Sequence, residues 1–290
     1  MNKLALGTVQ LGLPYGIANQ GGQIGRKEAC SILSLARECG VDTLDTAINY
    51  GDSEKCLGDM GVEGFRLITK LPDLPDGITD IAAWVDEQLQ ASLSRLKVDA
   101  LYGLLLHRSQ QLSSVGGVAI ARALERLKAD GRVQKIGVSI YRPEELDAAT
   151  QACAIDLVQA PLNLIDRRLV TSGWLQRLQE QCIEVHVRST FLQGLLLMPR
   201  AAIPAQFERW APLWDTWHEY LAYNHISAIE ACLRYPLSLP QINRVVVGVD
   251  SSAQLRELLA VVQSAPNCHA DPAIGCNDED LLNPTRWNSL

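Results

Sequence analysis

The sequence of 290 residues lacks the features that mark several classes of protein. Basic residues are few: 26 Lys and Arg stand against 33 Asp and Glu, for a net charge of −7. With no excess of positive charge to balance phosphates, we exclude a nucleic-acid-binding role. No stretch approaches the roughly 18 uncharged apolar residues of a membrane span, which excludes a membrane partner. The eight cysteines contain no Cys-x-x-Cys pair and favour reduced thiols in a cytoplasmic protein over a disulfide framework.

Short apolar runs alternate with amphipathic segments from one end of the sequence to the other, and 47% of the residues are hydrophobic. Several runs are continuously apolar or β-branched, as in parallel strands that are buried on both faces. The predicted strands are Leu4–Val9, Val41–Asp45, Phe65–Thr69, Ala100–Leu106, Lys135–Ser139, Asp156–Gln159, Ile183–Arg188 and Arg244–Gly248. Eight strands alternating with helices predict a single-domain α/β fold, a (β/α)8 TIM barrel, with a doubly wound open sheet as the second interpretation.

The domain is expected to span residues 1–290, with the barrel core at about 4–262 and a C-terminal tail at 266–290. No linker divides the chain. The tail is polar and only weakly periodic, so we expect it to pack as a coil with Trp287 as an anchor.

A longer, irregular segment after Arg188 predicts a loop over one end of the barrel, carrying a helix from 206 to 223. Trp210, Trp214 and Trp217 lie close together in this segment. They form either the hydrophobic underside of that helix, the interpretation we favour, or a platform for a sugar ring.

In a barrel of this type the active site lies at the C-terminal ends of the strands, and four polar side chains fall there. Asp45 ends the second strand and Tyr50 follows it, while Lys70 and His107 end the third and fourth. Singly, each has a structural explanation, such as a helix cap or a solvated strand end. Together they predict one site, because strand-end placement brings all four to the same mouth.

The chemistry of these four side chains suits proton transfer. A free phenol has a pKa of about 10, too high for efficient acid–base catalysis near neutrality. A Lys70 ammonium close to Tyr50 is expected to lower that pKa, with Asp45 holding the lysine by pairing with it. His107 is expected to hydrogen-bond a substrate carbonyl and orient it, as an oxyanion donor does. The set matches no recognisable zinc or iron site, so no metal is expected.

Motifs along the chain, in order and over about residues 4–262, closely resemble those of the aldo-keto reductase superfamily. The motifs are Gly7-Thr8, Asp45-Thr46-Ala47 with Tyr50-Gly51, Lys70, Leu104-Leu105-Leu106-His107, Lys135-Ile136-Gly137-Val138-Ser139, Gln159-Ala160-Pro161-Leu162-Asn163 with Asp166-Arg167-Arg168, Arg188-Ser189 with Gln193-Gly194-Leu195-Leu196, and Val246-Val247-Gly248 before Ser251 and Gln254-Leu255. The resemblance implies a barrel enzyme that moves a hydride between nicotinamide and a carbonyl or alcohol. It implies Tyr50 as the general acid, tuned by Lys70 and Asp45, with His107 orienting the carbonyl.

The resemblance also implies a nicotinamide cofactor, NADP(H) as the usual choice of the family and NAD(H) as the alternative. The matching cofactor-binding positions are Thr8, Asp45, Ser139, Gln159, Arg188, Ser189, Phe191, Gln193, Gly248, Asp250, Ser251, Gln254 and Glu257. Asn163 is expected to shape a loop rather than to bind. The chain has no Gly-x-Gly-x-x-Gly loop, and the resemblance implies none.

Three positions depart from the family pattern. Ile140 stands where Asn often follows the serine, and Arg188 stands where an aromatic ring commonly stacks on the nicotinamide. A guanidinium there would disfavour the positively charged oxidised ring. Asp250 lies where a cation would help to bind the 2′-phosphate of NADP(H), although Ser251, Ser252 and Arg256 remain available to a phosphate.

The implied substrate is a small-molecule aldehyde or ketone, of the sugar type by analogy. The candidate substrate-binding residues are Tyr15, Asn49, Tyr50, His107 and Trp210. No heptad pattern is visible, and members of the family are frequently monomers, so we expect a monomer or a weak homo-oligomer.

Two other functions remain open at this point. One is a catalytically silent, nicotinamide-binding regulatory subunit that keeps the fold, which the intact set of four residues disfavours. The other is a lyase in which Lys70 forms a Schiff base, which leaves Tyr50 and His107 without a role.

Overall fold

The computed structural model describes residues 2–19, 21–264 and 272–289. Eight parallel strands follow one another in sequence order and close into a barrel in which the first strand pairs with the last. The strands are β1 (Leu4–Gly7), β2 (Thr43–Asp45), β3 (Arg66–Leu71), β4 (Leu101–Leu106), β5 (Val133–Ser139), β6 (Leu157–Pro161), β7 (Glu184–Arg188) and β8 (Arg244–Gly248). The predicted fold class, a single-domain (β/α)8 barrel, is confirmed.

Helices lie between the strands and cover the barrel. They are α1 (Val9–Gly12), α2 (Arg26–Glu38), α3 (Ser53–Met60), α4 (Ile81–Leu96), α5 (Gly117–Ala129), α6 (Glu145–Ala152), α7 (Arg168–Thr171), α8 (Trp174–Glu180), α9 (Ala211–Asn224), α10 (Ala228–Ser238), α11 (Ser252–Ser264) and α12 (Glu279–Leu282). No helix in the described part of the chain is long and apolar enough to cross a membrane.

The strands are apolar because they are buried on both faces. In β4, Leu101 and Leu104 to Leu106 are almost fully buried, with helices outside and other strand residues inside. The interior is also crowded: a Cβ atom at Gly137 of β5 would lie 1.8 Å from the carbonyl oxygen of Leu157 on β6. Only glycine allows the two strands to approach this closely.

The amphipathic helices bury the face that their spacing predicts. In α2 the buried residues are Ala29, Ile32, Leu33 and Ala36, at helical spacing. In α4 the side chain of Asp80 caps the N-terminus by accepting a hydrogen bond from Ala83 N at 2.9 Å. Because all eight strands are parallel, their C-terminal ends lie together at one mouth of the barrel.

The predicted helix over 206–223 is divided in two. A 3₁₀ helix covers Ala205–Trp210, and α9 begins at Ala211 with Pro212 in its first turn. Proline tolerates that position because its missing N–H would have no partner there.

The tryptophans of this segment are packing residues. Trp214 and Trp217 are 0% and 1% exposed, and their indole N–H groups donate to the carbonyls of Phe207 and Leu196. They form the hydrophobic underside of α9, the interpretation favoured from sequence, and offer no platform to a sugar.

The tail packs against the same region. Trp287 is buried, its ring meets Phe207 edge-on at 4.9 Å, and its N–H donates to Leu281 O at 3.0 Å. Trp287 is therefore an anchor, as expected. Where a coil was expected, however, the described part of the tail contains α12 and two 3₁₀ helices.

Candidate active site

A buried ion pair lies at the mouth of the barrel. Lys70 Nζ is 2.9 and 2.8 Å from the two carboxylate oxygens of Asp45 and donates a further hydrogen bond to Thr46 O at 2.8 Å. The two side chains are only 1% and 4% exposed. The lysine comes from β3 and the aspartate from the end of the neighbouring β2, so the parallel register itself creates the pair. Burial lowers the pKa of Lys70, and the charge of Asp45 opposes that shift.

Tyr50 and His107 complete a compact group with this pair. Lys70 Nζ lies over the Tyr50 ring, 5.2 Å from its centroid, and the His107 ring meets Tyr50 edge-on at 5.8 Å. Tyr50 lies in the turn after β2, and His107 directly follows β4. The structure thus brings together all four residues that the sequence placed at strand ends.

The pKa of Tyr50 moves in the direction opposite to the one expected. Burial and the charge of Asp45 raise the pKa of this phenol, and a smaller effect of Arg188 lowers it. The Lys70 ammonium lies over the face of the ring and is paired with Asp45. The negative charge of Asp45 therefore opposes the lowering of the Tyr50 pKa that was expected from Lys70. In this geometry Tyr50 holds its proton at neutral pH, as a general acid must before the reaction.

His107 is neutral over the same pH range. Burial, followed by the charges of Lys70 and Arg188, lowers its pKa to about 4. A neutral imidazole keeps one N–H group that can donate to a carbonyl oxygen.

Arg188 brings a further positive charge to the mouth. Its guanidinium stacks on Tyr141 at 4.3 Å and donates to Ile140 O at 2.8 Å and to Ser189 Oγ at 3.2 Å. Its charge lowers the pKa values of Tyr50, Lys70 and His107. The sequence placed Arg188 along the cofactor; only the structure shows that its charge reaches three of the four candidate catalytic residues.

The neighbouring candidate cofactor residues converge on Asp45. Gln159 Nε2 donates to Asp45 Oδ1 at 2.6 Å, and Thr8 Oγ1 donates to Asp45 O at 2.9 Å. Ser139 is buried and lies beside Gln159 in the β5–β6 register. Asn163 is engaged by the backbone: it donates to Ser189 O and accepts from the amides of Ile165 and Asp166, so it shapes the loop as expected.

The segment that follows β7 has an unusual backbone. Ser189, Leu192 and Gln193 have φ values of 59°, 47° and 54°, in the left-handed region that side chains disfavour. Within this segment Phe191 packs against the core. Gln193 joins it to the loop after β1 by donating from Nε2 to the hydroxyl of Tyr15 at 3.2 Å.

At the end of β8 a polar atom has no partner. The Gln10 side chain is 8% exposed, and its Oε1 makes no hydrogen bond. A Cβ atom at Gly248 would lie 2.3 Å from Gln10 Nε2, so glycine leaves the space that the amide occupies. Sequence reasoning missed Gln10, since a glutamine three residues after Gly7 carries no motif of its own.

The loop after Gly248 is ordered by its own side chains. Gln254 Oε1 accepts from Asp250 N at 2.7 Å, and Ser251 Oγ accepts from Gln254 N at 3.2 Å. Glu257 is exposed one turn further along α11. Asp250 and Ser251 thus lie just before α11, and Gln254 and Glu257 lie in its first two turns.

A cavity of about 910 Å³ adjoins the mouth. It lies between the loops after β3, β4 and β5 and the C-terminal tail. Its charged and aromatic lining residues include Arg108, Tyr141, Arg142, Arg168, Glu279 and Arg286.

The candidate substrate-binding residues differ in how exposed they are. Tyr15 and Asn49 are exposed and Tyr50 and His107 are partly buried, whereas Trp210 is 8% exposed and donates from its ring N–H to Asp278 at 3.1 Å. None of these five residues lines the cavity itself, whose wall begins at Arg108, next to His107, and Trp210 packs with the tail. In the described ranges, no three His, Cys, Asp or Glu side chains are grouped so as to hold a metal ion.

Comparisons with known proteins identify relatives of this chain. The model of the Aldo/keto reductase family matches residues 3–266. An uncharacterized oxidoreductase, YqkF of Bacillus subtilis, is 27% identical and covers 89% of this chain and 90% of its own length. D-threo-aldose 1-dehydrogenase of a Pseudomonas species is 26% identical, over 84% of this chain and 87% of its own.

Among solved structures, aldo-keto reductase AKR11C1 from Bacillus halodurans, in its holo form, superposes with a TM-score of 0.75. It is 22% identical and covers 92% of this chain and 88% of its own length. At that identity the likeness concerns the fold.

Proposed function

The chain belongs to the aldo/keto reductase family, and from this membership and the site geometry we propose that it reduces an aldehyde or ketone to an alcohol with hydride from a nicotinamide dinucleotide. The observation that carries the proposal is the buried Lys70–Asp45 pair beneath Tyr50, with a neutral His107 beside the same ring. The proton donor Tyr50, the charged pair that lies against its ring and His107, which can donate a hydrogen bond to a substrate carbonyl, are then together at the strand ends.

The residues present fit a dinucleotide. Gln10 Oε1 is an orphaned buried acceptor beside Gly248, and buried acceptors without partners are rare unless a ligand or water supplies a donor. Ser139, Gln159, Thr8 and the left-handed segment after Arg188 would hold the nicotinamide half, and the loop from Gly248 to Glu257 the adenosine half. When bound, the nicotinamide supplies the hydride.

The chain's own residues supply the proton. His107 donates its N–H to the carbonyl oxygen and orients it. Tyr50 then gives its hydroxyl proton to that oxygen, which leaves an alcohol and a phenolate. The Lys70 ammonium, whose Nζ lies 5.2 Å from the centroid of the Tyr50 ring, stabilises the phenolate, so its charge acts when the negative charge develops.

The cavity supports a hydroxylated substrate. Its lining contains four arginines and four carboxylates, which are Arg108, Arg142, Arg168 and Arg286 and Asp73, Asp76, Glu145 and Glu279. Charged donors and acceptors in equal number suit sugar hydroxyls, which both donate and accept. A relative that acts on an aldose is consistent with this, and we propose a small, sugar-type carbonyl as the substrate class.

The two alternatives fit less well. In the Schiff-base lyase, Lys70 would need an unprotonated amine, but Nζ donates to Asp45 and to Thr46 O and has the character of an ammonium. A silent regulatory subunit would not need four converging polar side chains in a buried site.

The test is a comparison of Tyr50→Phe with the wild type. Reduction of a panel of aldoses and simple aldehydes should fall by about 10² to 10⁴-fold in kcat, while calorimetric binding of the dinucleotide stays within twofold. Tyr223→Phe, at an exposed position, is the matched control and should leave both unchanged. Full activity in Tyr50→Phe, or trapping of Lys70 by borohydride in the presence of substrate, would contradict the proposal.

A further inference from the structure

The N-terminus of α11 is occupied by a carboxylate from a distant part of the chain. Glu28 on α2 accepts a hydrogen bond from the amide of Ser252, the first residue of α11, at 2.5 Å across 224 residues of sequence. Hydrogen bonds from Ser252 hold the pKa of Glu28 below its usual range. The carboxylate is therefore ionised at neutral pH.

This position matters because of where barrels bind phosphate. Phosphate sites in such barrels are frequently built from the loops after the seventh and eighth strands and a helix N-terminus, whose free amides attract anions. Here the carboxylate of Glu28 already accepts the hydrogen bond of one such amide, that of Ser252. A phosphate would have to displace Glu28 and also lie near Asp250, two residues before Ser252.

An independent observation points to a ligand with donors at this end of the barrel. Gln10 Oε1 is buried beside Gly248 and has no partner, so it requires an O–H or N–H group. The positive charges of Arg256 and Lys27 also lower the pKa of Glu28. The carboxylates of Glu28, on the Ser252 amide, and of Asp250, two residues before it, match a ribose with two free hydroxyls better than one that carries a phosphate. Gln10 adds an unpartnered acceptor beside Gly248 at the end of the same strand.

We propose that Glu28 is the specificity-determining residue for the cofactor, and that it selects NAD(H) over NADP(H) by occupying the Ser252 amide with a negative charge. The inference rests on the proposed function, because it assumes that the adenosine half lies at the end of β8. It concerns only the 2′ position of the adenosine ribose of the cofactor and does not change the chemistry proposed at Tyr50.

The experiment measures binding to the intact protein by calorimetry. NADH, NADPH, ADP-ribose and its 2′-phosphate are titrated into the wild type, Glu28→Gln and Glu38→Gln. The glutamine keeps an oxygen for the Ser252 amide and removes only the charge. Glu38, exposed at the far end of α2 and bonded to Ser34, is the control.

The wild type should bind NADH at least about tenfold more tightly than NADPH. It should likewise bind ADP-ribose more tightly than the 2′-phosphate of ADP-ribose. Glu28→Gln should bind NADPH and the 2′-phosphate of ADP-ribose about tenfold more tightly than the wild type does, and its affinity for NADH should stay within threefold of the wild-type value. Glu38→Gln should match the wild type for all four ligands. Equal or tighter binding of NADPH by the wild type, or an unchanged ratio in Glu28→Gln, overturns the inference and leaves the reductase proposal standing. Selective NADH binding without reduction of any carbonyl overturns only the reductase proposal, and binding of neither dinucleotide overturns both.

Discussion

Burial shifts the pKa values of three neighbouring side chains at the mouth of the barrel. It raises the pKa of Tyr50 and lowers those of Lys70 and His107, because in each case the charged form loses its contact with water. For Lys70 the carboxylate of Asp45 opposes the effect, so the buried ammonium is retained. Burial therefore leaves a protonated phenol and a neutral imidazole, and Asp45 keeps the lysine beside them charged.

The neutral state of His107 can be tested through pH. Its folded pKa of about 4 lies below the unfolded value of about 6.5, so the unfolded chain takes up the proton first. The stability from the neutral imidazole is present above pH 6.5 and is lost as the pH falls towards 4. His107→Gln should therefore lose less of its free energy of unfolding in urea between pH 7 and pH 5 than the wild type does.

The exposed His225→Gln is the control for this comparison and should behave as the wild type. In NMR spectra the His107 ring should titrate near pH 4. A midpoint near 6.5, or equal pH dependence in all three proteins, would contradict the assignment.

Arg188 is expected to bias the bound cofactor towards its reduced form, because oxidised nicotinamide is positively charged and the guanidinium repels it. Arg188→Gln should tighten binding of the oxidised dinucleotide relative to the reduced one by about fivefold, the effect of roughly 1 kcal/mol between partly screened charges. Arg188→Lys keeps the charge and should retain the wild-type ratio. Identical ratios of the two dissociation constants in all three proteins would show that Arg188 has no such role.

At the scale of elements, two short segments position Tyr50 by close backbone contact. α1 ends at Gly12, where a Cβ atom would lie 1.8 Å from Tyr50 O and 2.6 Å from Ser53 N. Gly51, with a φ of 55°, faces Gly12 from the other side. The turn that carries Tyr50 is therefore held between α1 and α3, and only glycine fits.

Gly12→Ala should displace that turn. We expect a loss of about 1 to 3 kcal/mol in the free energy of unfolding and a fall in kcat at nearly unchanged affinity for the dinucleotide. Gly25→Ala, where a Cβ atom would meet nothing within 4 Å, is the matched control. If Gly12→Ala lowered stability and left kcat untouched, the turn would not depend on this contact.

At the scale of the whole molecule, the tail closes one side of the cavity through ion pairs with the barrel loops. Glu279 of α12 lies 2.9 Å from Arg286, 3.6 Å from Arg142 and 3.8 Å from Arg168. Trp287 fixes the tail to Phe207 nearby. The wall of the cavity thus combines residues from the fifth and sixth strand loops with the end of the chain.

Glu279→Gln should loosen this wall and leave the catalytic group intact. We expect KM for an aldose substrate to rise by about three- to tenfold, the effect of roughly 1 kcal/mol, with kcat within twofold. Glu219→Gln, exposed on α9, should change neither constant. A fall in kcat with unchanged KM would place Glu279 in a different role.

Prediction from the sequence succeeded where a local pattern carries the information. Apolar runs located all eight strands, and strand-end placement located Asp45, Tyr50, Lys70 and His107. It failed where the outcome depends on packing: the expected direction of the Tyr50 pKa shift was wrong because burial and the charge of Asp45 raise that pKa. Trp210 gave no sign in the sequence that it packs against Asp278 of the tail.

The sequence by itself determined the order of strands and helices, the closed barrel and the identity of the four polar residues at its mouth, because these follow from the spacing of residues close together in the chain. Tertiary structure alone decided the charge and the partners of each group. The ion pair of Glu279 with Arg142, the contact of Gln10 with Gly248 and the bond from Ser252 to Glu28 join segments more than 130 residues apart. No local pattern encodes such contacts, since they arise only when the barrel closes and brings the ends of the chain together.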